Sequence, residues 1–125
     1  MEHINEKLIL AYGLTSIEKE KLNKLLVAQH VLPCKVIEKN MGNVTIKEIL
    51  NNIECKKNNI DLPEEKLLLF NNYNDKQLYD LIDDIRQIKD VNTILAAVTQ
   101  TSINWTVGYL IQHLIEEREA YRKKE

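Results

Sequence analysis

Short apolar runs alternate with amphipathic stretches along this chain. Leu8–Tyr12 and Leu67–Phe70 carry no charged or small polar residue. Runs of that length suit strands buried on both faces. Each is followed by a turn, Gly13 or Asn71-Asn72, and then by a helix start. Thr15 stands three residues before Glu18, and Asn74 three before Gln77. In such a pair the first side chain accepts an orphan backbone N–H of the first turn, and the second reaches back to the cap's own N–H. Tyr73 and Leu78 add the spacing of a hydrophobic staple. Behind the caps, apolar residues recur at helical spacing: Ile17, Leu22, Leu25 and Leu26 in the first helix, and Leu78, Leu81, Ile82, Ile85 and Ile88 in the second.

A further strand is predicted after each helix, Cys34–Glu38 and Thr93–Val98. A further helix follows each. "NVTIKEIL" from Asn43 and "NWTVGYLI" from Asn104 align without a gap. Thr45 and Thr106 are the predicted caps, with Glu48 completing a box for Thr45. Val44 with Ile49, and Trp105 with Leu110, take staple positions around them. Trp105 is then read as a clamp over the helix entry, against the alternative of an exposed stacking platform. The first of these helices is expected from about Thr45 to Ile53. The segment Asn51–Glu65, polar and holding Pro63, is its end and a connection. The terminal "EEREAYRKKE" is a charged, fraying continuation of the last helix.

Each half therefore reads strand-helix-strand-helix, with a period of about 60 residues. The predicted fold class is α/β: two similar βαβα halves, about 7–55 and 66–120, forming one four-stranded sheet with helices packed on it. One domain, 1–125, is expected. Strand-helix-strand units imply parallel pairing with right-handed crossovers. A wholly parallel sheet would gather every strand-to-helix loop along one edge.

Composition changes little in this picture. The chain has 125 residues, 44% hydrophobic and 29% charged, enough for a core without staples. The formal net charge of −2 argues against a general nucleic-acid binder. Such a role would need Lys19, Lys21, Lys24 and Lys35 to form one stripe. The two cysteines, Cys34 and Cys55, lack Cys-x-x-Cys spacing and read as idle thiols of a reducing compartment. No export signal and no membrane-spanning run is visible, so a cytoplasmic location without membrane contact is expected.

The second half resembles a bacterial family known as domain of unknown function 3783. The resemblance rests on an apolar strand at Leu67–Phe70, the cap Asn74, and a second strand at Ala96–Val98. It continues with Thr99 and Thr101, then Trp105-Thr106 and a Leu-rich helix from Leu110 to Arg118. It implies an architecture for about 60 residues and no activity. The first half would be a diverged copy, with Val44-Thr45 in place of Trp-Thr.

Chemistry-bearing motifs are absent from the sequence. There is no Gly-rich phosphate loop and no Gly-x-Ser-x-Gly elbow. His3, His30 and His113 do not share metal-ligand spacing with the cysteines. His113 with Glu117 reads as a solvated helical pair, Asp80, Asp83 and Asp84 as a wet helix face, and Cys34 as a buried strand thiol. No catalytic residue, metal or cofactor is therefore assigned. The candidate ligand-binding residues are collective, in the polar strand-to-helix loops: Asn71, Asn72, Thr99, Thr101, Ser102 and Asn104. In the first half Gly13, Thr15, Ser16, Asn40 and Asn43 are expected beside them. Caps and turns select the same residue types without any ligand.

Two classes of function follow. One is a non-enzymatic binding or regulatory module acting through a protein partner or a small polar ligand. The other is an enzyme acting on a small polar or phosphorylated metabolite at the loop edge. A deep pocket beside Thr99, Thr101 and Asn71 or Asn72 would favour the second.

Overall fold

The computed structural model describes residues 6–51, 61–88 and 92–123. His3, Ile53, Cys55 and most of the predicted connection lie outside them. The elements in chain order are β1 (Leu8–Tyr12), α1 (Ser16–Ala28), β2 (Lys35–Ile37), α2 (Ile46–Leu50), β3 (Leu67–Asn71), α3 (Asp75–Ile85), β4 (Ile94–Ala97) and α4 (Val107–Lys123). A 3-10 turn, Ser102–Asn104, precedes α4.

The helices begin where their caps dictate. Both bonds of the capping box form at Thr15/Glu18, Thr45/Glu48 and Asn74/Gln77. α4 has half of one. The Tyr109 N–H donates to Thr106 Oγ1 at 3.1 Å, and a tyrosine at that position lacks the carboxylate or amide oxygen that returns to the cap in a capping box. Replacing such a cap by alanine costs about 1 kcal/mol.

The four strands form one sheet in the order β2-β1-β3-β4. β1 and β2 are parallel, as are β3 and β4. The two central strands, β1 and β3, are antiparallel, with Leu10 opposite Leu69. This corrects the expectation of a wholly parallel sheet. A parallel β3 would require the chain to cross back over the sheet after β2. α2 has five residues, a rise of about 7.5 Å, and does not make that return. The Leu62 N–H donates to the Lys39 carbonyl at 2.8 Å. The chain is thus fastened at the edge where β2 ended, and β3 starts there.

Both faces of the central strands are covered, which is why every position but the last of β3, Asn71, is apolar. Leu8, Leu10, Tyr12, Leu67 and Leu69 pack with Ile46, Ile49, Leu50, Val107, Leu110 and Ile111 of α2 and α4. Ile9, Ala11, Leu68 and Phe70 pack on the other face with Leu22, Leu26, Leu81 and Ile85 of α1 and α3. Each fully buried leucine or isoleucine contributes about 1.5–3 kcal/mol.

The entries of α2 and α4 cross. Thr45 and Thr106 form an isolated antiparallel bridge. The Ile46 N–H donates to the Trp105 carbonyl at 3.0 Å and the Val107 N–H to the Val44 carbonyl at 2.8 Å. The Gly108 N–H donates to the Gly42 carbonyl, also at 3.0 Å.

Candidate functional site

The antiparallel centre divides the strand-to-helix loops between two edges. Gly13, Thr15, Ser16 and Asn40 follow β1 and β2 at one edge. Asn71, Asn72, Asn74 and the segment from Thr99 to Asn104 follow β3 and β4 at the other. The single polar edge expected from a parallel sheet does not form. Gly13, Thr15, Ser16 and Asn40 do not join the second-half residues; Asn43 lies between Gly42 and Val44, which bond Gly108 and Val107 where the two halves cross.

The six predicted candidates share the second edge, and most are engaged locally. Asn71 is the last residue of β3 rather than a loop residue. It is buried, and its side-chain amide donates to the Glu6 carbonyl at 2.8 Å. Asn72 is exposed and turns the chain at φ 63°, a left-handed conformation that asparagine tolerates well. Thr99 and Ser102 cap each other. The Ser102 N–H donates to Thr99 Oγ1 at 3.0 Å, and the Thr99 N–H to Ser102 Oγ at 2.9 Å. Asn104 is exposed, with its amide 3.4 Å from the Gln100 carbonyl. Thr101 is exposed and makes no side-chain cap. These groups close a turn and leave Asn72, Thr99, Thr101 and Asn104 exposed.

The first edge holds an open cleft of about 810 Å³. It lies at the carboxyl ends of β1 and β2, bordered by the start of α1 and the far end of α4. Tyr12, Leu14, Val36 and Ile37 supply its apolar wall. Lys19, Lys39, Lys66, Arg118 and Arg122 bring five cationic side chains, against the carboxylates of Glu64 and Glu65. Gly13 shapes the rim. Its φ is 78°, and a Cβ there would stand 2.0 Å from the Glu65 carbonyl oxygen. Only glycine allows β1 to turn so close to the start of β3.

Two of the cations are already matched. Arg118 grips Glu65 with two hydrogen bonds, 2.7 and 3.0 Å, both side chains being mostly enclosed. The Arg118 hydrogen bonds hold the Glu65 carboxyl below its usual range, against an opposing push from burial. Lys66 donates to Glu18 Oε1 at 2.8 Å. For Glu18 burial raises the pKa most, but the bonds from Lys66 and from the Thr15 backbone and hydroxyl together outweigh it and bring the value down. Arg122 lies 3.4 Å from exposed Glu119, a contact of little strength. No ion pair of Lys19 or Lys39 is found among the described residues. The Tyr12 hydroxyl donates to the Pro63 carbonyl at 2.8 Å, and burial, then Glu64 and Asp61, push its pKa up.

The cleft was hard to see in sequence. Arg118 and Arg122 share a helix face at i, i+4, but nothing local shows that α4 extends over the ends of β1 and β2. Lys39 and Lys66 look like scattered surface charges.

The other singled-out residues have plain environments. Cys34 is half-buried, its thiol pKa raised by burial, and its N–H donates to Asn23 Oδ1 at 2.9 Å. His113 Nε2 lies 3.0 Å from Glu117 Oε1. Among the described residues no three metal-ligating side chains come together. Asp84 accepts from Gln29, the C-cap of α1, at 2.9 Å. Lys35 does not extend a stripe from α1, because its ammonium donates to the Ile49 carbonyl at 2.6 Å. Trp105 is half-buried against the core and meets Tyr109 and His113 edge-on, at 4.8 and 5.2 Å between ring centres. No helix among the described residues is long and apolar enough to cross a membrane.

Residues 66–121 match the model of a protein family described as a domain of unknown function, DUF3783. The resemblance carried by Asn74, Thr99, Thr101 and Trp105-Thr106 is borne out for that half. No curated protein and no solved structure matches the chain.

Proposed function

We propose that this chain is a cytoplasmic, non-enzymatic binding module that holds a small anionic ligand in the cleft at the carboxyl ends of β1 and β2. One observation carries the reading. Five cationic side chains from α1, α4 and two strand ends surround one open cavity, and among the described residues Lys19 and Lys39 form no ion pair there. Ligands of open α/β sheets favour such strand ends, and the volume is in the range that takes a small molecule.

Binding is preferred to catalysis because, among the described residues, no histidine or cysteine lines the cleft and one of its two glutamates is locked to Arg118. General acid-base or nucleophilic chemistry would need a free, positioned partner. The Asn71–Asn104 edge is the weaker candidate, since Asn71 is bonded to Glu6 and Thr99 and Ser102 to each other.

The same proposal takes the chain as one domain made of two copies of a βαβα unit. In the alignment of the halves Leu69 is the counterpart of Leu10, and Thr106 of Thr45. Each faces its own counterpart across an antiparallel contact. A two-fold relation between copies requires that arrangement.

Amide-shift mapping with millimolar sulfate tests the site. Shifts are expected around Gly13, Lys19, Lys39 and Arg122, and should vanish in Lys19→Glu/Lys39→Glu. Shifts confined to Thr99–Asn104 would return the site to the opposite edge.

A further inference from the structure

We infer, resting on the cleft reading above, that the ligand is an amphiphilic organic anion: an acidic head group attached to an apolar acyl or aryl body. The charges alone do not make a tight site. Lys66 and Arg118, both mostly enclosed, are occupied by Glu18 and Glu65. Lys39 and Arg122 are exposed and Lys19 is half-buried, and solvated ion pairs are individually weak. One first-turn donor of α1, the Glu18 N–H, is taken by Thr15. A bare inorganic anion would therefore find point charges and no cradle of buried donors.

The apolar wall supplies what the charges lack. Val36 stands on the edge strand β2 with 45% of its surface exposed, although its neighbour Ile37 is buried. Leu14 is half-buried beside it at the mouth of the cleft. Val36 and Leu14 give an apolar body something to cover, while Lys19, Lys39 and Arg122 meet its head group at the rim. Apolar burial scales with area and is unaffected by salt screening. The cavity, about 810 Å³, is also far larger than a phosphate or sulfate ion needs.

Calorimetric titration of the intact chain with three probes separates the contributions: anilinonaphthalene sulfonate, its neutral counterpart phenylnaphthylamine, and inorganic sulfate. The sulfonate is expected to bind one per chain, about tenfold or more tighter than either of the others. Val36→Asp and Lys19→Glu/Lys39→Glu should each weaken it by about tenfold, with unfolding midpoints near wild type. Thr101→Ala, at the opposite edge, should leave it unchanged. Sulfate binding as tightly as the sulfonate would overturn the amphiphile and leave the anion cleft standing. Phenylnaphthylamine binding as tightly would overturn both. Sulfonate affinity unmoved by the cleft variants, or several sulfonates per chain, would place the dye on some other apolar surface and defeat the inference.

Discussion

Thr45 and Thr106 face each other in an antiparallel bridge, and each is the N-cap of the helix that follows it. The two helix entries are thereby fastened by backbone bonds on both sides, Ile46 to Trp105 and Val107 to Val44. A closer approach follows one residue on. At Gly108 a Cβ would stand 2.9 Å from the Gly42 carbonyl oxygen, and that neighbour is backbone. Gly108→Ala must therefore push the crossing apart. It should cost about 1–3 kcal/mol, although alanine is the better helix former. Urea unfolding checks the sign: a stabilised Gly108→Ala would show that the crossing yields freely.

The parts of this fold legible in sequence are the local ones. Three capping boxes, the four apolar runs and their order follow from spacing, because each is decided within four or five residues. The antiparallel β1–β3 pairing was not legible. It depends on where the chain goes between Asn51 and Lys66, a segment with no periodic signal. That one relationship separated the polar loops into two edges and so moved the candidate site. Asn71, Thr99 and Ser102 carried a real signal, that of turn closure. Lys39 and Arg118 carried none until the sheet brought them together.

Gly13 and Asn72 hold equivalent turns after β1 and β3, at φ 78° and 63°, and they should respond differently to substitution. Gly13→Ala meets both the left-handed strain and the Glu65 carbonyl, and should cost more than about 2 kcal/mol. Asn72→Gly, in an exposed turn, should change stability by less than about 1 kcal/mol. Equal effects in thermal unfolding would remove the steric argument at Gly13.

Trp105→Ala isolates the ring from the crossing, because the carbonyl that accepts the Ile46 N–H is retained. The ring is half-buried against the core and capped by Tyr109, so the loss should be about 3 kcal/mol, the low end for an aromatic truncation. Tyr109→Ala, exposed on its outer side, should cost under about 1 kcal/mol. A Trp105→Ala chain as stable as wild type would exclude the clamp and favour a surface recognition role.

The Glu65–Arg118 pair predicts a particular acid sensitivity. Hydrogen bonds from Arg118 lower the folded-state pKa of Glu65 from its ordinary 4.5. As pH falls below that value the unfolded chain takes up a proton that the folded chain still refuses. The contribution is therefore complete above about pH 5 and is lost progressively as pH drops through the folded value. Glu65→Gln removes the titration. It should cost about 1–2 kcal/mol at neutral pH, reduced from a fully buried charged bond by partial exposure. It should also flatten the decline of unfolding free energy below pH 5. The decline will not vanish, because Glu18 is lowered in the same direction and keeps its pair with Lys66. Arg118→Met should flatten the same window, since it removes the donor that holds Glu65 charged. The two variants together should do little more than either alone. Parallel pH profiles for wild type and Glu65→Gln would mean that the pair, though bidentate, does not fasten α4 to the mouth of the cleft.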